Sequence, residues 1–185
     1  MTEQKQAIVT ILNHYLAIIT LLGFIFLLFW ILGIIGTTYF KKECKISTFF
    51  GKYALPFGFL STFFAMLMSL YYSDYLGVLP CGLCWFQRIT IYSQVFLFGL
   101  AWYKKDYKIF PYSILLSSVG MVIALYHEYL QLGYNEFIPC PAIASTVDCA
   151  KPTFIEYGFV TFPFMSVVLF LFLILLSFIS MKKSN

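Results

Sequence analysis

Two of the five cysteines form the motif Cys81-Gly82-Leu83-Cys84, a spacing that brings two sulfurs within reach of one another. So small a ring adds little loop-closure stability, but it allows the pair to pass between dithiol and disulfide, which suits catalysis better than stapling. Pro80 precedes the motif and an apolar helical stretch follows it. The unpaired N–H groups and positive dipole end of that helix can stabilise a thiolate. Arg88 stands four residues after Cys84. Its guanidinium stays charged, and in poorly screened surroundings it is expected to favour the Cys84 thiolate or to hold an anionic partner. A charge within a membrane span points to function, the plainer alternative for an arginine one turn inside the interface being that it snorkels to the headgroups.

The second pair has a different setting. Cys140 lies between Pro139 and Pro141, and Cys149 is followed by Pro152. Proline on both sides forbids a continuous helix and holds Cys140 on an extended, reachable segment. Two readings stay open here, an exchangeable disulfide or a staple of a surface loop. Zinc prefers knuckles of two-to-four-residue spacing, which Cys140 and Cys149 do not offer, so no metal is expected. Four cysteines allow three connectivities. His127, followed by Glu128 and Gln131, can donate a hydrogen bond, shuttle a proton or pair with its neighbours.

The elements that must carry these residues follow from composition. Of 185 residues, 61% are hydrophobic, 21% aromatic and only 11% charged. That is far below the roughly 25% charged residues of a soluble domain. The chain reads as an all-α integral membrane protein, and a net charge of +4 is too small and scattered for a nucleic-acid footprint. Five continuous apolar segments of spanning length run over residues 15–40, 53–72, 85–103, 109–132 and 158–180. The first exceeds a signal peptide's core of about 7–15 residues and has no small-residue cleavage site after it, so it reads as a retained span.

Basic residues orient the bundle. Lys41, Lys42, Lys45 and Lys52 follow span one, Lys104, Lys105 and Lys108 follow span three, and Lys182 and Lys183 end the chain. These segments are expected in the cytoplasm, with the C-terminus. Residues 73–80 carry no basic residue, and residues 133–157 carry Lys151 against Glu136, Asp148 and Glu156. Both are expected outside, with the N-terminus. Cys81, Cys84, Cys140 and Cys149 then share the oxidising face, while Cys44 stays reduced on the other. With no internal repeat, one bundle is expected. Residues 1–52 supply an extra N-terminal helix and basic loop, and 53–185 form the core.

On these motifs the sequence resembles the DsbB family of bacterial disulfide-bond formation proteins, and especially its shorter BdbC-like members. The string LPCGLCWFQRITI over 79–91 looks like the family's first redox loop entering a helix, with arginine four residues after the second cysteine. ALYHEYLQLG is similar to the third core helix, and the stretch from Cys149 through TFIEYGFVTFPFMSVVLF is similar to the BdbC-type return. The resemblance implies a DsbB-like four-helix transmembrane bundle, here with one additional helix. It implies a monomeric thiol:quinone oxidoreductase of the bacterial inner membrane, with its redox loops facing the periplasm or cell exterior. Its partner would be a DsbA-like thioredoxin-fold thiol oxidase, and its acceptor ubiquinone or menaquinone. By that resemblance the partner attacks Cys140, Cys149 or the other pair resolves the mixed disulfide, and Cys81 exchanges with the loop pair. Cys84 then faces the quinone, Arg88 stabilises the developing charge, and His127 lies near the quinone. The residues also leave open a non-enzymatic scaffold with structural disulfides, and an enzyme like vitamin K epoxide reductase. In the latter family the Cys-x-x-Cys usually comes late, whereas here it precedes the loop cysteines.

Overall fold

A computed structural model describes residues 3–40, 45–137, 140 and 148–184. Lys41, Lys42, Cys44, Pro139 and Pro141, to which the sequence gives roles, lie outside the described residues. Within them the chain is helical: α1 Glu3–Phe40, α2 Lys45–Lys52, α3 Ala54–Leu70, α4 Gly82–Lys104, α5 Phe110–Gln131 and α6 Phe162–Ser184. A π-helical turn, Tyr71–Tyr75, prolongs α3, and a 3₁₀ turn, Tyr107–Ile109, leads into α5. No strand is formed among the described residues; an isolated bridge between Glu156 and Val160 closes the turn before α6. Tyr157 and Gly158 in that turn have φ of 53° and 82°, which breaks the helix and delays the last span to Phe162.

Four stretches are long and apolar enough to cross a bilayer among the described residues: Gln4–Gly36, Ala54–Tyr75, Tyr107–Gln131 and Phe162–Lys182. The fifth expected span is present as α4, whose 23 residues reach roughly 34 Å at about 1.5 Å per residue. It is less apolar because Gln87, Thr90 and Gln94 are buried inside the bundle. Gln94 Oε1 accepts hydrogen bonds from Ser113 and Ser117 of α5, at 2.8 and 3.1 Å. The polar side chains that lower the helix's hydropathy thus serve interhelical contacts.

The helices pair as α3 with α4, α4 with α5, and α5 with α6. Bare backbone permits the closest approaches. A Cβ on Gly58 would stand 2.7 Å from the Phe98 ring, and one on Gly120 would overlap the ring of Phe170. The core cluster joins Leu27 and Trp30 of α1 to Phe98, Phe110, Leu173 and Leu176. The additional helix therefore packs against the outside of the bundle through these residues. Trp30, only 1% exposed, donates through Nε1 to Ser47 Oγ of α2 at 3.0 Å.

At its other end α1 grips the segments beside the cysteines. The buried Asn13 Oδ1 accepts from the Tyr72 hydroxyl at 2.6 Å, Lys5 Nζ donates to the Tyr75 carbonyl at 2.6 Å, and His14 lies 3.7 Å from the Glu156 carboxylate. Helix α1 begins twelve residues before the expected span, because polar side chains at this end have partners on the loops.

Candidate functional site

Cys81 is the N-cap of α4, with extended backbone at ψ 173°. A residue in this position turns its side chain back over the first helical turn, where N–H groups lack intrahelical partners. Its sulfur accepts from the Cys84 backbone N–H at 3.2 Å. The helix terminus expected to favour a thiolate thus acts on Cys81. The two sulfurs carry no disulfide between them and lie 2.7 Å apart.

His127 reaches this pair from α5. Its Nε2 lies 3.5 Å from the Cys81 sulfur, and its Nδ1 is 3.0 Å from the Gln87 amide. Gln131 lies 3.0 Å from the same Nε2 and completes the enclosure. The Cys84 thiol pointing at Cys81, helped by His127 and opposed by burial, brings the Cys81 thiol down to about 4. Cys81 is the thiolate of the reduced pair.

Cys140 and Cys149 are joined by a disulfide, with 6.0 Å between their Cα atoms. Cys149 is fully buried and Cys140 half-buried, so Cys140 is the sulfur of this bond more open to attack. The disulfide packs into the same apolar cluster as Cys81, Leu83 and Leu130, which Cys84 also borders. All four cysteines expected to act together meet at one end of the bundle. The metal-capable grouping among the described residues is Cys81, Cys84 and His127, with ligand atoms within 4.8 Å of one another.

Arg88 faces the other side of the motif. Its guanidinium donates to the Ser69 carbonyl in the last turn of α3 at 3.1 Å, and sits 5.2 Å above the Trp85 ring. The structure brings His127 to Cys81 and Arg88 to α3. One turn beyond Arg88, the Tyr92 hydroxyl is buried without a hydrogen-bond partner among the described residues.

Two participants, Gln87 and Thr161, are missed by sequence reasoning, whereas Gln131 is singled out beside His127. Gln87 and Gln131 orient His127, and Thr161 at the start of α6 donates to the Glu128 carboxylate while accepting from Phe164 N–H at 3.3 Å. The positions of Gln87 three residues after Cys84 and of Gln131 one turn after His127 are visible in the sequence. The interhelical partnerships are not.

Comparison with known proteins yields a consistent set. A family model described as disulfide bond formation protein DsbB matches residues 51–180. "Probable disulfide formation protein C 1" of Bacillus anthracis is 39% identical over 132 residues, covering 71% of this chain and 94% of the relative. "SPbeta prophage-derived disulfide bond formation protein B" of Bacillus subtilis (strain 168) is 38% identical over 112 residues, covering 60% of this chain and 74% of the relative. "Disulfide bond formation protein C" of the same organism is 34% identical over 113 residues, covering 60% and 80%. No solved structure matches.

Proposed function

The chain belongs to the DsbB family of disulfide bond formation proteins, and from that premise we propose that it reoxidises a DsbA-like thiol oxidase and passes the electrons to a membrane quinone. It is a multi-pass all-α membrane protein of disulfide formation. The observation that carries the finer reading is the meeting of a reduced Cys81–Cys84 pair and a Cys140–Cys149 disulfide in one cluster.

Thiol–disulfide exchange needs a thiolate, a reachable sulfur and a good leaving group. Cys140, the more open sulfur, receives the partner's thiolate and forms a mixed disulfide, releasing Cys149. The partner's second thiolate then frees Cys140, leaving the loop pair reduced. When Cys81 and Cys84 are oxidised, a loop thiolate attacks Cys81, and the remaining loop cysteine completes transfer of the disulfide back to the loop. Cys81 is a good leaving group, because His127 and the Cys84 N–H stabilise its thiolate.

The reduced Cys81–Cys84 pair must then surrender two electrons, which no protein side chain here can accept. A bound quinone supplies that two-electron acceptor. The residues present fit such a group: the half-buried Arg88 uses one N–H on Ser69 and retains donors for a carbonyl oxygen, one turn from Cys84. Arg88 and Cys84 would hold it, with His127 acting from the Cys81 side. Ubiquinone and menaquinone both offer the required oxygens.

In this reading residues 53–185 are the catalytic core and 1–52 the additional helix and basic loop. The protein acts as a monomer in the bacterial cytoplasmic membrane, with both redox pairs outside and the C-terminus in the cytoplasm, as the lysine distribution favours. The test is quinone absorbance on mixing the detergent-purified protein with a reduced thioredoxin-fold dithiol. Wild type turns over, whereas Cys84→Ser and Cys140→Ser do not. A folded wild type inert toward ubiquinone and menaquinone analogues with several such dithiols would return the loop disulfide to a structural role.

A further inference from the structure

Helix α4 carries Cys84, Arg88 and Tyr92 at successive four-residue steps, so all three lie along one face. Arg88 is engaged on Ser69 and over Trp85. Tyr92 packs beside the cluster of Ile91, Ala124 and Phe170, yet its hydroxyl, its only side-chain polar atom, is buried with no hydrogen-bond partner among the described residues. Among the described residues two other buried atoms share that condition, Gln94 Nε2 and Ser177 Oγ. Gln94 already uses its amide oxygen twice. Serine in a helix can turn to bond the carbonyl a turn behind it. Tyr92 has no such local remedy, because its hydroxyl stands at the end of a rigid ring.

A buried, unpartnered hydroxyl destabilises the fold, and the hydrocarbon region supplies no water to relieve it. Phenylalanine would fill the same space without that cost, and this chain uses it 22 times. The hydroxyl gains a purpose when a ligand brings an acceptor to it.

We propose that Tyr92 is a quinone-binding residue, donating a hydrogen bond to the ring oxygen farther from Cys84 while Arg88 serves the nearer one. The inference rests on the quinone reading of the preceding subsection. Four residues of helix advance about 6 Å along the axis. A ring lying along α4 between Arg88 and Tyr92 thus presents its two opposite oxygens to two donors. The orphaned atom of the unliganded protein is satisfied in the complex.

The test is Tyr92→Phe in the full-length, detergent-purified protein, titrated with decylubiquinone and with menadione by quenching of tryptophan fluorescence. Thermal unfolding without quinone is measured in parallel. The expected result is roughly five- to tenfold weaker quinone binding, as for loss of one buried hydrogen bond. The unliganded variant should also unfold at higher temperature, because its orphaned hydroxyl is gone, while iodoacetamide alkylates Cys81 at the wild-type rate. A merely structural tyrosine would not move affinity and stability in opposite directions. Affinity unchanged within twofold, against a wild type that binds quinone, would overturn the Tyr92 assignment alone. A wild type that binds neither quinone would overturn the quinone reading and this assignment with it.

Discussion

At the scale of single residues, the chemistry depends on which sulfur of the Cys81–Cys84 pair carries the charge. Cys81 receives the Cys84 N–H, the Cys84 thiol and His127, so its thiol falls to about 4 from an ordinary value of about 8.5. The alkylation rate of reduced Cys81 by iodoacetamide should therefore be nearly flat from pH 5 to 8. A rate that rises about tenfold per pH unit across that range would mean an ordinary thiol. The same depression carries a linkage consequence. The folded thiol titrates below the unfolded one, so its contribution to stability of the reduced protein is full above about pH 8.5 and lost as pH falls toward 4. In the proposed reaction Arg88 belongs to the other half, the transfer to quinone. Arg88→Ala should slow quinone-driven reoxidation of Cys81–Cys84 by roughly tenfold or more while leaving exchange at Cys140 intact. Equal quinone turnover would remove Arg88 from the account.

At the scale of elements, function rests on close helix contacts that fix Cys81, His127 and Arg88 from α4 and α5 against α3 and α6. The α5–α6 seam needs a bare backbone at Gly120 to admit Phe170. Gly120→Val should destabilise the protein by about 1–3 kcal/mol, and pairing it with Phe170→Leu should recover part of that loss. Unfolding in detergent checks both; no loss in the single variant would mean that the seam can open freely. Helix α1 is tied in by the Asn13–Tyr72 hydrogen bond. A double-mutant cycle with Asn13→Leu and Tyr72→Phe should give a coupling of about 0.6–2 kcal/mol. A coupling of zero would mean that α1 only leans on the bundle. These contacts explain what the sequence leaves illegible. Hydropathy locates five helices, because lipid imposes an apolar run on each. It is silent on which faces meet, so it places His127 in α5 without revealing that it meets Cys81. It also starts α1 at residue 15, because the value of Asn13 and His14 lies in partners 59 and 142 residues away, Tyr72 and Glu156. The Cys-x-x-Cys and the loop pair are legible for the opposite reason, since their chemistry is written in residue type and local spacing.

At the scale of the whole molecule, the proposed reaction requires the bundle to bring two redox pairs to one face and to offer the Cys81–Cys84 pair to a lipid-soluble acceptor. The meeting of the pairs in one cluster satisfies the first requirement. The lysine distribution predicts that this face lies outside and that Cys44 lies inside. A membrane-impermeant maleimide should accordingly label Cys44 only from the cytoplasmic side, and labelling in intact cells would reverse the orientation. The most direct test of thiol-to-quinone transfer is a single anaerobic turnover. The fully reduced, purified protein receives one equivalent of decylubiquinone, and the remaining thiols are mass-tagged as hydroquinone is measured. The account predicts that one hydroquinone forms as two thiols disappear, with the Cys81–Cys84 pair oxidised before Cys140–Cys149. Five persistent thiols, Cys44 included, beside unreduced quinone would contradict it.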